Sequence, residues 1–298
     1  MLRISCALLA IAMLYPPTAR TRDRARDRAR EMLVIQFPSD TSAFNVSSVL
    51  IGSPTEALVV DAQYHMGDAR READRIAQTG THVKAIFITH PDEDHYMGAA
   101  AFVERFPGTP VYMTAAAIQE FKRTSSMFLK SLRAQEPKEA PDSLVTPQVL
   151  PGNIITIEGD TVEIIPDEQG DVLQPTNSFL WIPALRTVIT GDIVFNGVHP
   201  WLGASDVASR QRWHRSIQKI AALHPVTVIA SHKRAPDTPD TPDVLRAMDQ
   251  YLTDFDAARA ASPNAEALVA AMKQKYPDYA IPKLLEYSAQ IAYRKTGT

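Results

Sequence analysis

The chain is nearly devoid of cysteine. Its single thiol, Cys6, lies in an N-terminal apolar stretch, and the rest of the 298 residues have none. Disulfides and thiolate metal ligands are therefore excluded from the body of the chain, and any metal held there takes nitrogen and oxygen donors. A basic excess is missing too: 31 Lys and Arg against 34 Asp and Glu leave a net charge of -3. A nucleic-acid-binding face calls for the opposite balance, so no nucleic-acid partner is expected. The apolar stretch Ile4 to Tyr15 is too short to span a bilayer, no other segment is apolar enough, and no stable membrane insertion is expected. Internal repeats at solenoid spacing and low-complexity segments beyond the leader are also absent. With 45% hydrophobic and 22% charged residues, the chain suits a soluble globular protein large enough to bury a sizeable core.

The N-terminus carries two opposed signals. Met1-Leu2-Arg3, the apolar stretch and Pro16-Pro17-Thr18-Ala19 read as an export signal with its cleavage region, which favours a periplasmic or secreted protein. Six arginines and two aspartates between Arg20 and Arg30 favour retention, which leaves a cytoplasmic alternative with a basic arm or a true start near Glu31.

From Met32 the pattern is rich in strands. Short β-type runs at Met32–Phe37, Val46–Ile51 and Ala57–Asp61 are separated by turn signals such as Pro38-Ser39-Asp40. Helices are expected from Asp68 to Gln78, over Gly98 to Phe106, and from a Thr114 cap to about Leu132. Ala134 to Pro151, with four prolines, reads as a loop. A second strand block covers Ile154–Ile157, Thr161–Ile165, Ser178–Ile182 and Thr187–Thr190. A helix over Ser209–Leu223, a strand over Val226–Ala230 and further helices complete the chain. Two strand blocks, each followed by helices, predict two sheets packed face to face with helices outside.

The most informative stretch is His90-Pro91-Asp92-Glu93-Asp94-His95, directly after the apolar run Ala85 to Thr89. So many carboxylates and imidazoles at the end of one buried strand are electrostatically costly unless a cation neutralises them. The same pattern, an apolar strand and then a group that can bind metal, recurs at Asp61, Asp171, Asp192 and His232. Repetition at one end of several strands implies one rim where these side chains converge.

These residues resemble the metallo-β-lactamase superfamily, whose first motif is His-x-His-x-Asp-His, followed by a separate His, a bridging Asp and a final His. The resemblance covers Met32 to about Val244. It implies an α/β fold, an αββα sandwich of two mixed sheets with helices on the outer faces and a dinuclear site at one edge. On that basis residues 1–30 are a leader with a basic arm, 31–244 the metallo-β-lactamase-like domain, and 245–298 a helical extension packed on it. The sequence departs from the pattern twice. Asp92 stands where the second His is usual, and no His lies between His95 and His199. Asp171 is the expected replacement for the separate His, with Glu168 as a weaker choice. The implied ligands are His90, Asp92 and Asp171 for one cation, and Asp94, His95 and His232 for the other, with Asp192 bridging. Zinc is the first choice of metal; the extra carboxylates also admit iron or manganese. Asp61 is read as an orienting residue rather than a ligand, and Glu93 as a solvated loop charge.

Tyr96, His199, Trp201 and Lys233 are candidate substrate contacts by their nearness in sequence to these ligands. The implied activity is a metallo-hydrolase acting on a small lactone, lactam, thioester or related ester, with Asp94 and Asp192 as catalytic groups. An iron-dependent dioxygenase or redox protein and a non-catalytic binding protein of the same fold are the alternatives.

Overall fold

Residues such as Val49-Leu50-Ile51 and Ala57-Leu58-Val59-Val60 are apolar at every position because both faces of their sheet are covered. A computed structural model describes residues 32–294. The leader and basic-arm readings lie outside the described residues. The first block comprises β1 (Leu33–Pro38), β2 (Ser47–Gly52), β3 (Glu56–Val60), α1 (Met66–Gln78), β4 (His82–Phe87), α2 (Glu93–Tyr96), α3 (Ala99–Arg105), β5 (Val111–Met113), α4 (Ala115–Gln135) and β6 (Gln148–Val149). Its six strands form one mixed sheet in the order β1-β2-β3-β4-β5-β6, antiparallel up to β3 and parallel after it.

The second block comprises β7 (Ile154–Ile157), β8 (Asp160–Glu168), β9 (Asn177–Ile182), β10 (Thr187–Ile189), β11 (Phe195–Asn196), α5 (Val207–Ala222), β12 (Thr227–Ile229), β13 (His232–Lys233), α6 (Asp243–Ala261), α7 (Ala265–Lys275) and α8 (Pro282–Arg294). Five of its strands form a second mixed sheet in the order β12-β10-β9-β8-β7, and β11 pairs with β13 in a small parallel ribbon.

Strand alternation sorts the apolar side chains into three layers. Val49, Ile51, Leu58, Val60 and Phe87 face Ile164, Leu180, Ile182, Ile189 and Ile229 between the sheets. Leu50, Val59 and Ile86 face the other way, against α1, α3 and α4 through Ile76, Phe102 and Phe121. Phe179, Val188 and Val228 likewise pack against α5 and α6 through Trp213, Ile217, Tyr251 and Phe255, and α7 and α8 add Met272 and Leu285. The result is the expected αββα sandwich, with the C-terminal helices sharing the core of the second sheet. Among the described residues no helix is long and apolar enough to cross a membrane.

Three local differences from the sequence expectation matter for the site. The stretch expected as a loop after His90 contains the single turn α2. β8 continues past Ile165 through an irregularity, with Asp167 in the left-handed region at φ 57°, and so carries the chain toward Asp171. α5 starts at an Asp206 cap, whose carboxylate accepts from Ser209 N at 2.7 Å while Ser209 Oγ accepts from Asp206 N at 2.8 Å. Gly98 lets the α2–α3 segment lie on the strand-to-helix turn beneath it: a Cβ there would stand 2.2 Å from Ala62 O and 2.5 Å from Ala69 Cβ.

Below that turn, α1 buries the carboxyl of Glu72, which accepts from Ser48 Oγ and, at 3.0 Å, from Gln63 Nε2. Burial pushes its pKa up from an ordinary 4.5 to about 8, against the pull of those two hydrogen bonds. A raised pKa means that the folded chain binds this proton more tightly than the unfolded chain. The stabilisation is therefore full below about 4.5 and is lost as pH rises through about 8. Glu72→Gln is expected to remove this part of the pH dependence. Urea unfolding across that range checks it, and an undiminished decline in the variant would contradict it.

Candidate metal centre

β4 ends at Phe87, and Ile88-Thr89 carry the chain across the sheet edge to a fully buried His90. Asp92 then occupies the N-cap position of α2, whose one turn presents Asp94 and His95. Three later segments return to the same edge. Gly170 brings Asp171 in; a Cβ at Gly170 would stand 2.6 Å from Asn177 Nδ2 and 2.9 Å from Asp192 O, so a side chain there would displace the chain. Asp192 sits on a 3-10 turn, Gly191–Ile193, after β10. The indole of Trp213 fixes that turn by donating to Ile193 O at 2.7 Å. His232 opens β13, and its ring stacks on Phe195 of the partner strand β11 at 5.1 Å.

Asp192 is central to the cluster. Its Oδ1 lies 3.3 Å from His95 Nε2, and its Oδ2 lies 3.2 Å from His232 Nε2 and 3.8 Å from His90 Nε2. Asp94 reaches His232 Nε2 at 3.3 Å and His95 Nε2 at 3.7 Å, while Asp92 lies 3.9 Å from His90 Nε2. These residues form three overlapping groups with ligand atoms within 4.8 Å of one another: His90, Asp92 and Asp171; Asp94, His95 and His232; and His90, His95 and Asp192. All seven residues named from the sequence as ligands thus meet at one edge. Glu168, the weaker choice there, is turned away: its carboxylate bonds Ser216 Oγ at 2.9 Å and Lys219.

The imidazoles are held from behind. His232 Nδ1 donates to the Phe44 carbonyl at 2.8 Å, and His95 Nδ1 to Asp61 Oδ2 at 2.9 Å. Thr89 Oγ1 donates to Asp61 at 2.9 Å, so it accepts from His90 Nδ1, 3.0 Å away. Each outer nitrogen is bonded from behind, so a neutral ring carries its proton there and turns Nε2 inward as a lone-pair donor. His90 Nε2, His95 Nε2 and Asp192 Oδ1 are buried with no hydrogen-bond partner. Inward lone pairs beside four carboxylates are the donor set a hard or borderline divalent cation requires, so the residues present fit a metal.

The electrostatics support the same fit. Burial, followed by the neighbouring carboxylates, pushes Asp92 and Asp171 well above the usual carboxylate range. Burial acts likewise on Asp192, but the three imidazoles outweigh it and hold Asp192 well below. Burial and His95 push His90 down to about 4. Burial also opposes charge on His232, yet Asp192 and Asp94 carry it up to about 10. Asp92 and Asp171 driven toward their neutral forms, beside a His232 driven toward its cation, are the sign of a cluster short of positive charge.

A cavity of about 470 Å³ opens over the cluster, and Asp92, Asp94, Asp171, Asp192 and His232 reach it. Of the four substrate contacts named from sequence, only Trp201 lines it. Tyr96 is buried edge-on against Phe121 at 4.9 Å. His199 is buried, bonded to the Tyr251 hydroxyl at 2.7 Å and packed on Tyr279. Lys233 is buried and bonds Asp240 at 3.0 Å and Gln36 at 2.9 Å. Glu93 differs from its solvated reading: it lines the cavity, where burial and Asp94 raise it to about 7. α4 also reaches the cavity, through Met127 and Phe128. Leu284 and Tyr287 of α8 line it too, and no sequence signal marked them.

A two-sheet sandwich with buried imidazoles and carboxylates gathered at one edge has a metallo-β-lactamase-like architecture. Residues 41–232 match the family model of the metallo-beta-lactamase superfamily, and the chain belongs to that superfamily. No curated protein matches it. A metallo-beta-lactamase family protein from Thermus thermophilus shares the fold with a TM-score of 0.64 at 15% identity, over 90% of this chain and 94% of that one. A beta-lactamase domain protein from Burkholderia ambifaria also gives 0.64, at 16% identity, over 90% and 88%. The B3 metallo-beta-lactamase BLEG-1 gives 0.55 at 19% identity, over 74% of this chain and 100% of that one. At these identities the likeness is one of fold.

Asp61 is the residue on which two of the three imidazoles depend, although it belongs to none of the three candidate metal groups. Asp61→Asn keeps the shape and removes the charge. The expected loss in metal affinity is about 10- to 100-fold, measured by competition with a chromogenic chelator. Affinity equal to that of the unaltered chain would contradict this role.

Proposed function

We propose that the protein is a metal-dependent hydrolase of small carbonyl-type substrates: lactones, lactams, thioesters or related esters. The observation that carries the reading is the set of buried, unpartnered donors at the cluster, His90 Nε2, His95 Nε2 and Asp192 Oδ1, beneath an open cavity. In this reading His90, Asp92 and Asp171 hold one divalent cation, Asp94, His95 and His232 hold a second, and Asp192 lies between them. Zinc is the first choice, with iron or manganese as alternatives. Such cations, when bound, polarise a carbonyl oxygen and make water acidic enough to attack near neutral pH.

The chain's own residues supply the remainder. Asp61, Thr89 and the Phe44 carbonyl keep the imidazoles in the donor tautomer. Asp192 and Asp94 accept hydrogen bonds from the attacking water and orient it toward the cavity. Asp94, 3.3 Å from His232 and lining the cavity, takes the water's proton and returns it to the leaving group.

Elemental analysis of the full chain, purified without added metal, is expected to find two divalent ions per chain and hydrolysis of a chromogenic ester or lactam. His90→Ala and His232→Ala are each expected to abolish hydrolysis while the circular dichroism spectrum stays that of the folded chain. Undiminished hydrolysis in both variants would remove the proposal.

A further inference from the structure

The walls of the cavity come from segments far apart in the chain. α4 supplies Met127 and Phe128, the loop after Asp171 supplies Leu173, Trp201 follows β11, and α8 supplies Leu284 and Tyr287. The last two lie outside the segment that the family model matches. Nine large apolar side chains are exposed among the described residues, and three of them, Met127 (61%), Leu173 (42%) and Tyr287 (52%), lie on this one cavity. Scattered exposed apolar groups need no explanation, but convergence from three segments onto a site does.

The charged groups on the cavity narrow the choice of ligand. Apart from His232, Arg123 is the one cationic side chain lining it among the described residues, and Arg123 Nε donates to the Glu120 carboxylate at 2.9 Å. Asp92, Glu93, Asp94, Asp171 and Asp192 form the floor, where the cations of the hydrolase reading would bind. Lys233, the sequence candidate for a substrate carboxylate, is engaged elsewhere. A negative charge on the part of a substrate remote from the scissile bond finds on these walls only Arg123, whose guanidinium is already shared with Glu120.

We propose that this cavity holds an uncharged apolar acyl or aryl group of the substrate, and that Met127, Leu173, Leu284 and Tyr287 make the protein selective for longer groups. The selectivity rests on the hydrolase reading above; the binding rests on the cavity alone. Each buried methylene strengthens binding by about fourfold, so a few of them produce a clear preference.

The test has two arms. In the first, the metal-loaded full chain is assayed with 4-nitrophenyl butyrate, 4-nitrophenyl octanoate and the 4-nitrophenyl monoester of octanedioic acid. The octanoate is expected to give kcat/KM at least about tenfold above the butyrate, and the terminal carboxylate to cancel that gain. Met127→Asp and Tyr287→Asp change side chains that are exposed and outside the core. Each is expected to lower the octanoate-to-butyrate ratio several-fold, whereas Val226→Asp, equally exposed but off the cavity, leaves it unchanged. In the second arm, calorimetry follows octanamide binding, with acetamide as the short control. Octanamide is expected to bind the parent chain and to bind Met127→Asp and Tyr287→Asp several-fold more weakly. If no ester is cleaved but octanamide binds in this way, the hydrolase reading fails and the assigned cavity stands. Equal rates on all three esters, or octanamide binding that ignores both variants, would overturn the assignment.

Discussion

The structure turns on the gathering of three other carboxylates, Asp92, Asp94 and Asp171, and three imidazoles around the single side chain of Asp192. Its oxygens approach the Nε2 atoms of His95 and His232 within 3.3 Å and that of His90 within 3.8 Å. Such a cluster cannot be held by packing alone, because burial penalises each ionised group and like carboxylates repel. It persists as a unit only where opposite charges lie close and each outer nitrogen is tied down. The hydrogen bonds from His95 to Asp61, from His90 to Thr89 and from His232 to the Phe44 carbonyl meet that need.

The sandwich is the frame for this arrangement. Apolar strands with both faces covered deliver their ends to one edge without freedom to shift register, since a slip of one residue would exchange the inner and outer layers. The connections at that edge carry the irregular backbone. Phe44, Asn45, Asp61 and Gln63 all adopt positive φ, between 54° and 68°, around the first motif and the turn that supports His232. Residues other than glycine hold such angles at a cost, and sites of this kind are where that cost is commonly met. The C-terminal helices share the core of the second sheet and also reach the cavity, so stability and the shape of the site are linked there.

Much of this was legible in the sequence. The layers followed from two blocks of short apolar strands, each followed by helices, and the convergence of His90, Asp92, Asp94, His95, Asp171, Asp192 and His232 followed from the repeated placement of such groups after buried strands. What failed was inference from adjacency. Lys233 follows His232 on one strand, so the pleat sends it to the opposite side, toward Gln36 and Asp240. Tyr96 follows His95 on one helical turn and points away into the α4 packing. His199 lies just beyond β11 but turns into the tyrosines of the C-terminal helices. Leu284 and Tyr287 carried no legible sign, because an apolar helix face reads the same whether it meets a core or borders a cavity.

The most direct test of the central claim is anomalous X-ray scattering from crystals of the full chain, collected at the zinc, iron and manganese edges. The account predicts density for one cation among His90, Asp92 and Asp171 and for a second among Asp94, His95 and His232, with Asp192 between them. Crystals grown with each metal in excess that show no anomalous density at this cluster would contradict it.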